Sequence, residues 1–190
     1  LALNIGGYVG FNSAWTSVVG NADRRATPEE IARMRALIAT GLSQGAWGVS
    51  AGLDYKPAYF AKTEDVIQVV DVARPARTNF TNHDRVTPES NYSSKAGMTE
   101  TMAIGIKAGL MPVITHMKVQ GREQGAASAV LGSMAQSAKR GHYVAADAYP
   151  YLAGQTGLGS LIIPAWAQEG GPEAMVKRFA EPKLRAQIIA

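Results

Sequence analysis

The chain alternates between short apolar runs and longer segments whose apolar residues recur with a helical period. Four of the runs begin near residues 47, 78, 111 and 143, at separations of 31, 33 and 32 residues, and a run over residues 4–9 precedes them. Parallel strands need a crossover connection of a dozen or more residues, which is usually a helix. The repeat therefore predicts a parallel α/β sheet of about five strand–helix units.

The helical segments carry recognisable end signals. Thr27 stands as an N-cap, with Pro28 at the first helical position and Glu30 at the third, which is the capping-box pattern. Thr63 is predicted to cap a further helix, and residues 170–190 are predicted to form the last one. One apolar stripe follows the first of these caps, at Ile31, Met34, Ile38 and Leu42.

Two architectures fit this repeat. Eight such units make a (β/α)₈ TIM-type barrel, and residues 1–190 would form the central part of one such domain. A doubly wound open sheet is the competitor, and its mark is a glycine-rich phosphate turn after the first strand. Gly6, Gly7 and Gly10 lie within or just after the strand run instead of opening a helix in that spacing. The pattern therefore favours a barrel.

The composition and charge of the chain exclude several classes of function. The chain is 46% hydrophobic and 18% charged, which indicates a globular protein and not a disordered one. No apolar run is long enough for a transmembrane helix, so we expect no membrane partner. The chain has no cysteine, which excludes disulfides and thiolate metal ligands from its own residues. The net charge of +4 comes from scattered basic residues, so we expect no nucleic-acid partner.

Both ends of the sequence have the pattern of interrupted elements. The chain begins at Leu1 with residues typical of the middle of a strand, and it stops within a helical pattern. No basic region precedes an apolar stretch, so no signal peptide is visible and a cytoplasmic location is favoured. We therefore expect a piece of a longer protein.

The three histidines are the first candidates for chemistry. His83 and His116 each end a predicted strand and lie one repeat apart, so in a parallel barrel both side chains meet at the face where active sites form. Neutral imidazoles suit zinc, which predicts a metal site, whereas two unrelated polar loop residues are the alternative. His142 precedes its strand and is predicted to be structural.

Two histidines do not complete a catalytic zinc site, which normally has three protein ligands. Asp147, on the next strand, is a possible further carboxylate ligand. Lys118 follows His116 by two residues, and alternation along a strand brings both to one side. A lysine there can hold a substrate carboxylate as a point charge. Tyr149 ends the strand that follows, and Tyr55 comes after an earlier strand; tyrosines at strand ends can hydrogen-bond a substrate.

The sequence resembles the N-acyl-D-amino-acid deacylase (D-aminoacylase) family of the amidohydrolase superfamily. The strongest match is DAYPYLAGQTGLGSLIIPAWAQEGG at 147–171, followed by QGAWGVSAGLDYKPAY at 44–59 and ITHMKVQG at 114–121. ATPEEIARMRAL at 26–37 also resembles a helix of that family. The likeness runs through almost the whole chain and is more specific than a spacing of two histidines.

The resemblance implies a metal-dependent barrel that hydrolyses the amide of an N-acyl-D-amino acid. It implies Zn²⁺, as one or two ions, with His83 and His116 as metal ligands. Lys118 matches a lysine that helps to hold the substrate carboxylate. The positions that match substrate-contacting residues are Lys118, Tyr55, Tyr149 and, more weakly, Arg85.

Some of the family's functional residues have no counterpart in the chain. Its His-x-His pair, bridging cysteine and catalytic aspartate would lie before Leu1 and after Ala190, so no catalytic residue is assigned and residues 1–190 alone are expected to be inactive. GFNSAW at 10–15, the longer segment 80–92 and Gln155 depart from the family pattern, which bears on specificity more than on fold. Another amidohydrolase reaction, on a cyclic amide or as a deamination, and a non-catalytic binding subunit remain alternatives.

Overall fold

The computed structural model describes residues 3–86 and 93–189. Its centre is a parallel sheet of five strands in the order β1-β2-β3-β4-β5, so that each strand pairs with the next one in the chain. The strands are β1 Val9–Gly10, β2 Val49–Gly52, β3 Asn79–His83, β4 Met111–Ile114 and β5 Ala145–Ala146. A doubly wound sheet reverses its strand order near the middle, whereas a barrel adds each strand beside the last. The observed order is that of a barrel.

Helices follow each strand, and those between the strands cover one face of the sheet. They are α1 Phe11–Val18, α2 Pro28–Ser43, α3 Thr63–Val70, α4 Ser94–Ala108, α5 Ala127–Lys139, α6 Leu158–Ile162, α7 Ala165–Gln168, α8 Pro172–Ala180 and α9 Pro182–Ile189. The predicted capping box is present, because Thr27 accepts from the Glu30 backbone and the Glu30 side chain accepts from the Thr27 backbone. Helix α4 ends at Gly109, which takes the left-handed conformation at φ 74°.

Four elements differ from the sequence-based prediction. Lys62, and not Thr63, is the N-cap of α3. The single helix expected over 170–190 is two helices, because Glu181 is extended before Pro182, as residues before proline tend to be. The strands expected over 4–9 and 143–149 are shorter, since β1 covers only Val9–Gly10 and β5 only Ala145–Ala146. Residues 87–92 of the atypical 80–92 segment lie outside the described residues.

The main core lies between α1–α4 and the sheet. A second, smaller cluster joins α4 and α5 to the end of β4. Along β3 the alternation is clear: Phe80 and Asn82 are buried beneath the helices, whereas Thr81 and His83 point to the opposite side and are half-buried. Strand alternation therefore sends His83 away from the helix layer. The largest fully buried core side chains include Phe11, Trp15, Met34, Ile38, Val49, Phe80 and Ile104.

Helix α4 approaches β4 most closely at Gly105. A Cβ atom added there would lie 2.7 Å from Pro112 Cγ and 3.0 Å from Pro112 Cα, which belongs to the backbone of the strand. We expect Gly105→Ala to lower the free energy of unfolding by about 1–3 kcal/mol, the usual cost of overpacking. Gly132→Ala is the matched control, because nothing lies within 4 Å of that position on α5.

Alanine at Gly132 should stabilise the helix by about 0.5–1 kcal/mol. Urea unfolding of the protein expressed from the whole reading frame that encodes this chain measures both variants. Equal stabilisation by the two alanines would contradict the close packing at Gly105.

Candidate functional site

His83 and His116 come together at the C-terminal ends of two adjacent parallel strands. His83 is the last residue of β3, and His116 lies two residues beyond β4, in a register that pairs Asn82 with Ile114. The distance between His83 Nδ1 and His116 Nε2 is 2.6 Å, and the rings cross at 75°. The strand repeat thus brings two ring nitrogens to one point, as the sequence suggested. Their role as metal ligands stays a prediction.

Lys118 determines which nitrogen of His116 carries a proton. Its Nζ lies 3.0 Å from His116 Nδ1 and 3.1 Å from the His116 carbonyl oxygen. An ammonium group only donates, so Nδ1 accepts, and the proton of the neutral ring is assigned to Nε2, which then donates to His83 Nδ1. Burial lowers the pKa of His116, and so do the nearby charges of His83 and Lys118. The ring is therefore neutral at physiological pH, the form that binds metal ions.

The backbone of His116 is held by the next strand. Its φ of 44° is a left-handed conformation that few non-glycine residues adopt. The His116 N–H donates to Asp147 Oδ1 at 2.6 Å, and the Met117 N–H donates to the Asp147 carbonyl oxygen at 2.8 Å. Asp147 was considered a possible metal ligand from the sequence. In the structure its Oδ1 holds the backbone of His116, and a role as metal ligand stays a prediction.

Two tyrosines flank the paired imidazoles. The Tyr55 ring centroid is 4.6 Å from that of His83, and the Tyr55 hydroxyl is 3.2 Å from Thr156 Oγ1. The Tyr149 ring centroid is 6.3 Å from that of His116 and 5.1 Å from Lys118 Nζ. Five of the predicted site residues therefore form one cluster, which also brings in the segment after β5.

Arg85 lies apart from this cluster. It is buried, and its guanidinium donates to the Tyr59 and Ala61 carbonyl oxygens at 2.9 and 2.7 Å. Its Nε lies 3.3 Å from Glu100 Oε2, which is also buried. These contacts join the end of β3 to the segment before α3 and to α4. A substrate contact by Arg85 stays a prediction.

Sequence reasoning missed two buried carboxylates beside His83. Asp84 accepts from the Thr101 hydroxyl at 2.9 Å. Burial raises the pKa of Asp84 to about 6, although the Thr101 hydrogen bond and the charges of His83 and Lys118 oppose the rise. Asp54 Oδ2 lies 3.7 Å from His83 Nε2. Their places in the sequence, directly after His83 and in the turn that follows β2, are the signals that could have identified them.

The two imidazoles fit part of a metal site. Imidazole nitrogen is a ligand that zinc accepts, and the facing nitrogens of the two rings converge on one point. Within residues 3–86 and 93–189, no group of three or more His, Cys, Asp or Glu side chains is arranged to hold a metal ion. A zinc ion held here would therefore need ligands beyond this described set.

Comparison with known proteins gives close relatives but no match to a protein-family model. A D-aminoacylase of Alcaligenes xylosoxydans xylosoxydans is 34% identical over 158 residues, which are 82% of this chain and 31% of that protein. A solved D-aminoacylase, studied for the role of its binuclear metal centre, matches with a TM-score of 0.71 and 32% identity. That match covers 80% of this chain and 32% of the solved one.

The N-acyl-D-glutamate deacylase of Bordetella bronchiseptica, solved with zinc and a phosphonate mimic of the tetrahedral intermediate, also matches. Its TM-score is 0.71 at 27% identity, over 78% of this chain and 31% of that one. The chain thus spans about a third of the length of these relatives. The resemblance to the N-acyl-D-amino-acid deacylases is confirmed, and so is the fold, a set of strand–helix units of the amidohydrolase barrel. In the part of the chain that is described, no helix has the length and apolarity needed to span a membrane.

Proposed function

We propose that this relative of the N-acyl-D-amino-acid deacylases supplies part of the site of an enzyme that hydrolyses the amide bond of N-acyl-D-amino acids with the help of a metal ion. The observation that carries the proposal is the 2.6 Å approach of His83 Nδ1 to His116 Nε2, with the Lys118 ammonium beside them. Two imidazoles and one lysine side chain at the C-terminal ends of barrel strands suit a metal-assisted reaction of an anionic substrate.

His83, through Nδ1, and His116, through Nε2, are the residues that would hold the metal ion. Zinc, as one or two ions, is the metal we propose, in keeping with the zinc complex of one relative and the binuclear centre of another. When bound, such an ion lowers the pKa of a water molecule and polarises an amide carbonyl. His116 can bind through Nε2 only if its proton moves to Nδ1, so Lys118 must turn away from the ring.

That requirement supports the role proposed for Lys118. An ammonium released from His116 Nδ1 is close to the two imidazoles and can hold the free carboxylate of the substrate. Tyr55 and Tyr149, which flank the rings, would form walls of the substrate pocket. Arg85 is retained as a weaker candidate for a substrate contact. No residue of this chain is proposed to transfer the proton, because the aspartate that the family resemblance implies for that step has no counterpart in it.

A substrate panel tests the proposal. The protein expressed from the whole reading frame is loaded with zinc and assayed on N-acetyl-D-amino acids, their L enantiomers, cyclic amides and deaminase substrates. We expect hydrolysis of the D-acyl compounds, loss of activity on treatment with a chelator, and recovery when zinc is returned. Turnover confined to cyclic amides or amino-substituted rings would assign another amidohydrolase reaction. A protein inactive on the whole panel would contradict an enzymatic role.

Lys118→Ala should discriminate between substrates with and without a free carboxylate. Loss of a charge-assisted contact costs about 1.5–3 kcal/mol, or roughly 10–150-fold in kcat/KM, for the acids. The corresponding methyl esters should lose far less. Lys139→Ala, on the exposed end of α5, is the matched control and should leave both classes unchanged. Equal losses for acids and esters would show that Lys118 does not bind the carboxylate.

A further inference from the structure

We infer that Asp54 is a positioning residue that orients the His83 imidazole and assigns its proton to Nε2, so that Nδ1 presents a lone pair to the metal ion. The inference rests on the proposed function, because it takes the point shared by His83 and His116 as the metal site. Asp54 itself would touch neither metal nor substrate, and it acts through His83.

The turn after β2 is attached to the end of β3 at His83. Gly52 pairs with His83 in the sheet register, and the Leu53 N–H donates to the His83 carbonyl oxygen at 3.2 Å. The ring of Tyr55 packs against the His83 imidazole, with 4.6 Å between the ring centroids. Backbone contacts on one side of Asp54 and an aromatic contact on the other therefore hold this turn next to the imidazole.

The Asp54 carboxylate binds the backbone that follows His83 and also faces the His83 ring. It is only 5% exposed, and its Oδ1 accepts from the Val86 N–H at 3.0 Å, three residues beyond His83. Its Oδ2 lies 3.7 Å from His83 Nε2, roughly half an ångström beyond a good hydrogen bond. The second buried carboxylate, Asp84, is instead bonded to the Thr101 hydroxyl. Asp54 is thus the carboxylate directed at the outer nitrogen of this ring.

A chain of donors leads to the same proton assignment. Lys118 donates to His116 Nδ1, so His116 Nε2 carries the proton and donates to His83 Nδ1. A neutral His83 ring that accepts at Nδ1 carries its own proton on Nε2, which faces Asp54. Histidine ligands of metal ions usually donate their other N–H to such a carboxylate, which fixes the tautomer and raises ligand basicity. The proton arrangement required for Nδ1 coordination is therefore present before any metal binds.

Asp54→Asn is the sharpest variant for this inference. The amide oxygen of the introduced asparagine can still accept from the Val86 N–H. The NH₂ group then faces His83 Nε2, and because that group only donates, the His83 proton must move to Nδ1. Zinc affinity, measured by competition with a chromophoric chelator, should fall by about 10–100-fold. Nitrogen-15 NMR of labelled histidine in the metal-free protein should show the Nε2–H form of His83 in the parent and the Nδ1–H form in the variant.

Two further variants guard against a purely structural effect. Asp23→Asn, at an exposed position, is the matched control and should leave zinc affinity unchanged. Asp54→Glu retains the carboxylate and should recover part of the zinc affinity, even if Asp54→Asn folds poorly. Either of two results would overturn the inference. One is an Nδ1–H tautomer of His83 in the metal-free parent protein, and the other is an unchanged zinc affinity in a folded Asp54→Asn variant. A protein that binds zinc through both histidines yet cleaves no N-acyl-D-amino acid would contradict the proposed function and leave the role of Asp54 intact.

Discussion

His116→Asn is expected to lower zinc affinity by more than 100-fold and to reduce kcat/KM by a similar factor. The variant removes one of the two ring nitrogens that meet at 2.6 Å, and loss of a direct ligand exceeds the 10–100-fold effect typical of residues that only orient a ligand. Asparagine is preferable to alanine because His116 has a φ of 44°, and asparagine tolerates the left-handed region. Its backbone can thus keep the bond to Asp147.

Metal content after dialysis and kcat/KM of the zinc-loaded protein are the two measurements. His142→Asn is the matched control, since His142 is exposed and lies before β5, at the opposite end of the strands. The control should have the same metal content and the same kcat/KM as the parent protein. If His116→Asn kept its full zinc content and the activity of the parent, the result would contradict a metal site in this cluster.

Arg85→Met is expected to lower the free energy of unfolding by about 3–5 kcal/mol. The substitution leaves the buried Glu100 carboxylate without the cation at 3.3 Å, and breaking one side of a buried ion pair has this cost. It also leaves the Tyr59 and Ala61 carbonyl oxygens without their donors. Denaturant unfolding of the protein from the whole reading frame measures the loss, with the exposed Arg140→Met as control.

Addition of Glu100→Gln should recover part of that stability, because the second change removes the uncompensated charge. The same variants test the substrate contact that the family resemblance suggested for Arg85. A small stability change with a large rise in KM would favour the substrate contact over the ion pair.

The sequence was most informative where one local signal determines the structure. The 31–33-residue repeat predicted the strand order, and the spacing of His83 and His116 predicted that they meet. Arg85 shows what such reasoning leaves open, because a polar residue after a strand can face either the pocket or the helices. Its actual partners, Glu100 and the residues before α3, come from elsewhere in the chain. Asp54 was missed for the same reason, since its relation to His83 exists only across two paired strands.

The bond between Asp147 and His116 sets a limit on how this fold can be recombined. Each strand–helix unit has the pattern of an interchangeable module, yet the C-terminal end of β4 is completed by a carboxylate that follows β5. If only the β4 unit were moved into a relative, His116 would move with it but would lie beside the β5 strand of that relative. Without a carboxylate at the position of Asp147, the left-handed backbone of His116 would lose its acceptor. Exchange of β4 and β5 together preserves the pair, so the smallest transferable unit at this site is two strands long.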